Sequence, residues 1–212
     1  MRPKKLDIDP ADPDGDGLAD NNDSSGTSLT LDGALTSGGT FTSADGLGRR
    51  IDITDTATVD QSGATFTING TNANGQSVSE DVTGPGSGAT VTSTKYFYTV
   101  TSISIASGAG TGTVDVGTND EAASHIIPIN WRNDDRATVA IAGSSGTFQA
   151  DIQETFDDVI SAEVDNANLL EAHADKTGDG SFLLTRFARG VRVHTDSFTA
   201  GAEFQFHVVQ SL

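Results

Sequence analysis

The sequence predicts an all-β protein built from two β-sandwich domains. Short runs with a period of two, such as residues 64–68 and 100–105, alternate polar and apolar side chains and are rich in β-branched residues, which is typical of half-buried strands. Clusters of Gly, Asn, Ser and Pro separate these runs and predict turns. The strand–helix alternation of a nucleotide-binding fold is not found in the pattern.

The first sandwich is predicted over residues 27–118. Its clearest element is a hairpin that joins Thr65–Ile68 to Gln76–Val82 through a loop rich in Asn and Gly, two residues that adopt the positive φ angles such a loop needs. About seven short strands in roughly 90 residues favour an Ig-like sandwich. Further strands are expected at residues 29–31, 50–53, 90–92, 100–105 and 113–116.

The second sandwich, Ig-like or jelly-roll-like, is predicted from residue 125 to the C-terminus. Residues 119–124 show no strand pattern and are interpreted as a linker. One helix is considered, over residues 159–174, because Val164, Leu169 and Leu170 are spaced as on a helix face. Strands are expected at residues 126–129, 138–141, 147–152, 182–184, 191–193 and 204–208.

Composition excludes several functional classes. The chain has 212 residues with 12 Lys plus Arg against 30 Asp plus Glu, a formal charge of −18, so we expect no nucleic-acid partner. The absence of Cys rules out disulfides, thiolate metal sites and a Cys nucleophile. No run approaches the ~20 apolar residues of a membrane helix, and acidic residues follow Met1–Lys5 where a signal peptide would be apolar. We therefore expect no membrane partner and folding in the cytoplasm.

Residues 9–26 form an acidic loop or linker, and they contain the sharpest motif of the chain. The spacing Asp-x-Asp-x-Asp-Gly-x-x-Asp-x-x-Asp places carboxylates at every second position around a turn, as a hard cation with oxygen ligands requires. It resembles the calcium repeats of thrombospondin type 3 and of bacterial surface proteins. A solvated acidic linker is the alternative. The predicted Ca²⁺ ligands are Asp12, Asp14, Asp16, the Leu18 carbonyl, Asp20 and Asp23.

No catalytic signature is found, and the chain is predicted not to be an enzyme. Phosphate-binding, nucleophile-elbow and HExxH patterns are missing. His194 and His207 could face each other across neighbouring strands and, with Asp196, ligate a metal, but a cross-strand polar pair is favoured. Trp131 and the Tyr96–Tyr98 strand are interpreted as packing residues, with a sugar-binding platform as the lesser alternative.

The first residues and the second half of the chain resemble small virion proteins of tailed phages. Those begin Met-Arg-Pro, continue through an Ile-Pro-Leu-Asp/Asn-aromatic strand and a Thr-Phe-Asp-Asp-Val segment to an Arg-Leu strand, and end in Val-x-Gln. Glu154 departs from the pattern, because His is common there. The matching pieces here are Met1-Arg2-Pro3, Ile127-Pro128-Ile129-Asn130-Trp131, Gln153 to Val159, Arg189 to Val193 and Val208-Val209-Gln210.

The resemblance implies both a domain plan and a role. Residues 48–97 are similar to an Ig-like module of phage structural proteins. Residues 1–8 plus 125–212 would then form a virion-anchoring sandwich, and the Ig-like sandwich of residues 27–118 would be inserted into it. The function implied is a capsid decoration or cement protein that binds the major capsid protein, or other virion proteins, as a homo-oligomer. It would assemble in the host cytoplasm and lie on the particle exterior.

Three alternatives remain open from the sequence. One is an acidic halophile surface protein, which fits the composition but would need an export signal that is not found. A neck or tail protein, such as an adaptor, a collar or a fibre-associated component, fits the same resemblance. A secreted, calcium-dependent carbohydrate-binding module fits the acidic loop but not the missing signal peptide.

Overall fold

The chain divides into two compact units, each made of antiparallel β-sheet. Unit 1 comprises Met1–Asp12 and Asp120–Leu212, and unit 2 comprises Pro13–Asn119. The computed structural model describes residues 3–106, 112–130, 137–159, 168–184 and 188–210. Within those residues the regular elements are all β-strands, which confirms the predicted fold class.

The strands, in chain order, are β1 (Lys4–Ile8), β2 (Ala19–Asp23), β3 (Thr36–Ser37), β4 (Thr40–Thr42), β5 (Gly48–Asp55), β6 (Thr65–Thr71), β7 (Ser77–Thr83), β8 (Thr90–Thr92), β9 (Thr99–Ala106), β10 (Thr113–Ala123), β11 (Ile127–Pro128), β12 (Ala137–Ser145), β13 (Phe148–Thr155), β14 (Leu169–Lys176), β15 (Gly180–Leu183), β16 (Gly190–Phe198) and β17 (Glu203–Gln210).

Unit 2 contains a five-stranded sheet in the order β3-β4-β9-β6-β7. Its other strands are β8, β5, residues 113–119 of β10, and β2, which pairs with β10. Phe66 and Ile68 on β6 are fully buried, whereas Thr65 and Thr67, which alternate with them, are half-buried. This alternation creates one hydrophobic core, whose burial from water stabilises the unit.

The predicted hairpin is confirmed by the pairing of β6 with β7, from Thr65 opposite Thr83 to Thr71 opposite Ser77. The connecting loop depends on Asn72, whose Oδ1 accepts hydrogen bonds from the N–H groups of Asn74 and Gln76, both at 3.0 Å. Gly75 has a φ of 80°, a conformation that costs Gly little.

Unit 1 contains two sheets. One has the order β1-β17-β12-β15, and the other holds β14-β13-β16, with β11 and residues 120–123 of β10 also beside β16. Phe148 of β13 stacks on Phe204 of β17, with ring centroids 4.5 Å apart, so side chains of the two sheets meet in a core. Both rings are almost completely buried, as in a β-sandwich.

Three expectations about local structure were wrong. Residues 119–124 are not an irregular linker, because β10 runs to Ala123, which lies opposite His194. The acidic loop contains a strand, β2, held by pairing with β10. Residues 169–174 are part of β14, not of a helix, and residues 160–167 lie outside the described residues. In each case pairing with a distant strand outweighs a weak local pattern.

Candidate functional site

The structure brings together two of the predicted calcium ligands, Asp14 and Asp16. A hydrogen bond between their side chains, with some burial, raises the pKa of Asp14. The turn that carries them is held by Thr118, whose N–H donates to the Asp14 carbonyl at 2.8 Å and whose Oγ1 accepts from the Asp14 N–H at 3.2 Å. Gly117 allows this approach, because a Cβ there would lie 1.9 Å from the Asp14 carbonyl oxygen.

The other predicted ligands have separate environments. The Leu18 carbonyl accepts a hydrogen bond from the Gly33 N–H at 3.0 Å, and Asp12 and Asp20 are exposed. Asp23 accepts a hydrogen bond from the Ser25 N–H at 2.8 Å, which lowers its pKa. Within the described residues, no three ligand-bearing side chains of this loop lie within 4.8 Å of one another. Calcium at the loop stays a prediction.

The segments behind the virion-protein resemblance lie together in unit 1. Ile127 and Pro128 of β11 lie opposite Val191 and Gly190 of β16. On the other side of β16, Thr155 of β13 also lies opposite Gly190. The fourth segment joins them through the buried Gln210 side chain, which accepts a hydrogen bond from the Asn130 N–H at 2.9 Å and donates one to the Asn130 carbonyl at 2.8 Å. Four segments that are distant in sequence are thus connected in unit 1.

Side chains of these segments also pack or pair with one another. A Cβ on Gly190 would lie 2.6 Å from Cγ2 of Ile126 and 3.2 Å from the methyl carbons of Val159, so only Gly fits this contact. Asp158 forms an ion pair with Arg189 at 3.3 Å. Met1, Arg2 and Trp131, which belong to the same resemblance, lie outside the described residues.

A second cluster of polar side chains is formed by Asp151, His194 and Asp196. Asp151 of β13 lies directly opposite His194 of β16, and Asp196 is two residues further along β16, on the same face of the sheet. Nδ1 of His194 is 3.2 Å from Oδ1 of Asp196 and 3.9 Å from Oδ2 of Asp151. The side chains of His194 and Asp151 are 9% and 7% exposed, and that of Asp196 is 34% exposed.

Further carboxylates surround this cluster. Oε2 of Glu121 lies 3.6 Å from Nε2 of His194, and the Asp175 N–H donates to Oδ1 of Asp151 at 2.8 Å. Burial, then the negative charges of Asp151, Glu121, Glu171 and Asp175, raise the pKa of Asp196 to about 6. The charge of Asp151, with burial, also raises the pKa of Glu171.

The sequence predicted only part of this cluster. His194 and His207 were expected to face each other across neighbouring strands, but β16 and β17 belong to different sheets. Nε2 of His207 lies 3.3 Å from the Gln205 side chain instead. The signal present in the sequence was the spacing of His194 and Asp196, which places both on one face of a strand. Asp151 joins them only through the register of β13 against β16.

The aromatic side chains considered as a sugar platform have other contacts where the structure describes them. Phe97 is fully buried, and the Arg50 guanidinium lies over the Tyr96 ring, 5.5 Å from its centroid. This cation–π contact stabilises both side chains.

Comparison with protein-family models, curated proteins and solved structures finds no match to this chain. The part of the chain that the structure describes contains no helix with the length and hydrophobicity needed to cross a bilayer.

Proposed function

We propose that this chain is a non-enzymatic structural protein of a tailed-phage virion, and that it decorates or cements the head as a homo-oligomer. The observation that carries the proposal is the assembly, within unit 1, of the segments that resemble small virion proteins. Pro128 and Thr155 both lie opposite Gly190, on either side of one strand. The described segments that carry the resemblance are therefore neighbours within unit 1.

The contacts of these residues hold the segments of the resemblance together. Gly190 permits close packing against Ile126 and Val159, the Gln210 side chain binds the Asn130 backbone, and Arg189 pairs with Asp158. Packing, backbone capture and a partly exposed ion pair maintain a fold.

Strand β1 offers a surface suited to a protein partner. It lies at the edge of its sheet, next to β17, and its Lys4 and Lys5 side chains are exposed. An edge strand carries backbone groups that another chain can pair with. Lys5 forms a surface ion pair with Asp7 at 2.8 Å, and the two lysines are a local positive charge in a chain of net charge −18 that would attract an acidic neighbour. Many copies on a repeating lattice would add weak contacts of this kind into firm attachment.

Placement at the neck or tail is the second candidate for the same resemblance. Quantitative mass spectrometry of purified particles separates the two by copy number. A decoration protein would be present in about hundreds of copies, whereas a neck component would form a ring of roughly six to twelve.

Attachment is tested by sedimenting the purified chain with undecorated phage heads. Lys4→Glu with Lys5→Glu should abolish co-sedimentation without changing the melting temperature, because both side chains are exposed. Lys95→Glu with Lys176→Glu is the control matched in charge, since it reverses two lysines away from β1. Both are half-buried, and Lys95 Nζ donates to the Ser79 carbonyl while Lys176 Nζ lies over the Phe182 ring, so the melting temperature of this variant is measured with its binding. Binding that survives reversal at β1, or that is lost equally in the control, would contradict the role given to this strand. Failure of the wild-type chain to bind any virion component would contradict the proposed function.

A further inference from the structure

We propose that Asp151, His194 and Asp196 in unit 1 form a binding site for one divalent transition-metal ion of the Zn²⁺ type. The inference is independent of the proposed function and of the calcium prediction for the acidic loop. The site lies where β13 pairs with β16, and its ligand atoms are Nδ1 of the imidazole and one oxygen from each carboxylate.

The distances between the ligand atoms suit one shared ion. Ligand atoms about 2.0–2.2 Å from a common ion lie roughly 3–4 Å from each other. Nδ1 of His194 is 3.2 Å from the Asp196 carboxylate and 3.9 Å from that of Asp151. All three ligand atoms lie within 4.8 Å of one another, so an ion could bind with only small side-chain movements.

The neighbouring groups hold the ligands in this arrangement. The Asp175 N–H binds Oδ1 of Asp151 at 2.8 Å, which leaves Oδ2 facing the imidazole. Nε2 of His194 faces Glu121 at 3.6 Å, on the side away from the proposed ion. A carboxylate on the far nitrogen of a histidine ligand is the usual arrangement in metal sites, because it fixes the tautomer and orients the ring.

Charge and burial also favour a cation. Two of the three ligands, Asp151 and His194, are more than nine-tenths buried, and burying a carboxylate costs free energy unless a positive charge compensates it. Asp196 experiences four further carboxylates, those of Asp151, Glu121, Glu171 and Asp175. A divalent ion beside His194 would neutralise two of these negative charges at once.

The ligand set indicates the class of ion. One imidazole nitrogen with carboxylate oxygens suits Zn²⁺, Co²⁺ or Mn²⁺, whereas Ca²⁺ and Mg²⁺ prefer oxygen alone. Asp196 is 34% exposed, so the site is open at this carboxylate for entry of the ion and for a water ligand. The ion would link β13 to β16 and stabilise unit 1.

The test is titration of the metal-free full-length chain with Co²⁺, followed by absorption spectroscopy, and with Zn²⁺, followed by calorimetry and melting temperature. We expect one ion per chain at this site, visible Co²⁺ bands typical of nitrogen ligation, displacement of Co²⁺ by Zn²⁺, and a rise in melting temperature of about 5 °C or more at saturation. Ca²⁺ should not displace Co²⁺.

Variants locate the site. Asp196→Asn should weaken Co²⁺ binding at least about 10-fold, and His194→Gln should abolish the bands. Asp179→Asn, at an exposed carboxylate of the same unit, is the matched control and should bind normally. If His194→Gln does not fold, the Co²⁺ affinity of Asp196→Asn and the Co²⁺ spectrum of the wild-type chain test the proposal. Failure of the wild-type chain to bind Co²⁺, normal binding by Asp196→Asn, or loss of the bands in Asp14→Asn with Asp16→Asn would each overturn the proposal.

Discussion

Nδ1 of His194 lies 3.2 Å from Oδ1 of Asp196, two residues further along the same strand. The two-residue period of a strand places both side chains on one face, and pairing of β13 with β16 adds Asp151 opposite the imidazole. A polar cluster that is mostly buried therefore lies on this sheet of unit 1.

Because the cluster joins two strands, an ion bound there should slow their local opening. We predict that Zn²⁺ reduces hydrogen–deuterium exchange of the amides of β13 and β16, which open together when the ladder breaks. The β6–β7 hairpin of unit 2 is the internal control and should exchange at the same rate. Equal protection of both regions, or of neither, would argue against binding at the cluster.

Calcium at the acidic loop makes a separate prediction. Ca²⁺ should raise the melting temperature, and a chelator should expose residues 12–23 to protease, because oxygen ligands would otherwise repel one another. Asp14→Asn with Asp16→Asn should reproduce the effect of the chelator on the digestion, since it removes the charge of two predicted Ca²⁺ ligands. A digestion pattern that Ca²⁺ leaves unchanged would mean that the hydrogen bonds to Thr118 and the pairing of β2 with β10 hold the loop without an ion.

Asp55 is predicted to be an acidic side chain on which the stability of unit 2 depends. Its carboxylate is almost fully buried and accepts hydrogen bonds from the N–H groups of Val59 at 3.0 Å and Gly88 at 2.7 Å, and from Gln61 Nε2 at 3.2 Å. Asp55→Ala leaves these donors without an acceptor and should lower the free energy of unfolding by about 3 kcal/mol in urea titrations.

Asp60→Ala is the matched control for that variant. Asp60 is exposed and accepts a hydrogen bond from the Ser62 N–H at the surface, where water can replace it. Asp60→Ala should therefore lower the free energy of unfolding much less than Asp55→Ala does. Equal losses in the two variants would show that burial of the Asp55 hydrogen bonds is unimportant.

The contribution of Asp55 to the free energy of unfolding should decrease as the solution becomes acidic. Burial by itself would raise its pKa, but hydrogen bonds from Gly88, Gln61, Ala57 and Val59 together lower it below its ordinary value of 3.8. The ionised carboxylate therefore stabilises the fold above about pH 4, and this contribution is lost as the pH falls through the folded-state pKa. The difference in unfolding free energy between wild type and Asp55→Asn should be constant above about pH 5 and shrink below pH 4. A difference that grows on acidification would contradict this assignment.

Gly190→Ala tests the packing of the segments that resemble virion proteins. The added methyl would approach Ile126 Cγ2 to 2.6 Å, and overpacking of this kind costs about 1–3 kcal/mol. Gly178→Ala is the control, because no atom lies within 4 Å of its Cβ position. Urea unfolding should show a lower free energy of unfolding for Gly190→Ala and an unchanged one for Gly178→Ala. A neutral Gly190→Ala would mean that this contact is loose.

The parts of the fold that could be predicted from the sequence have local causes. The β6–β7 hairpin follows from the Asn and Gly residues of its loop and from the alternation of Phe66 and Ile68 with polar neighbours. Residues 169–174 carry no such signal, and their strand conformation comes from pairing with β13.

The His194 cluster shows why a site can escape sequence reasoning. Its two halves meet through strand register, and the ladder between β13 and β16 shifts between Gln149 and Ala150. A slip of one residue turns every side chain to the other face of the sheet, so Asp151 meets the imidazole only in the observed register. The shift lies just beyond that pair, where the pairing passes over Asp196. Nothing in the composition of residues 148–155 indicates where the shift occurs.

The most direct test of the proposed function is a density map of the phage particle at a resolution that traces β-strands. Our account predicts density for both β-units on the outside of the head, repeated with the capsid lattice. A six- or twelve-fold ring of this density at the neck would show that the protein is a neck component, the second candidate. A particle without density for this chain would contradict a structural role in the virion.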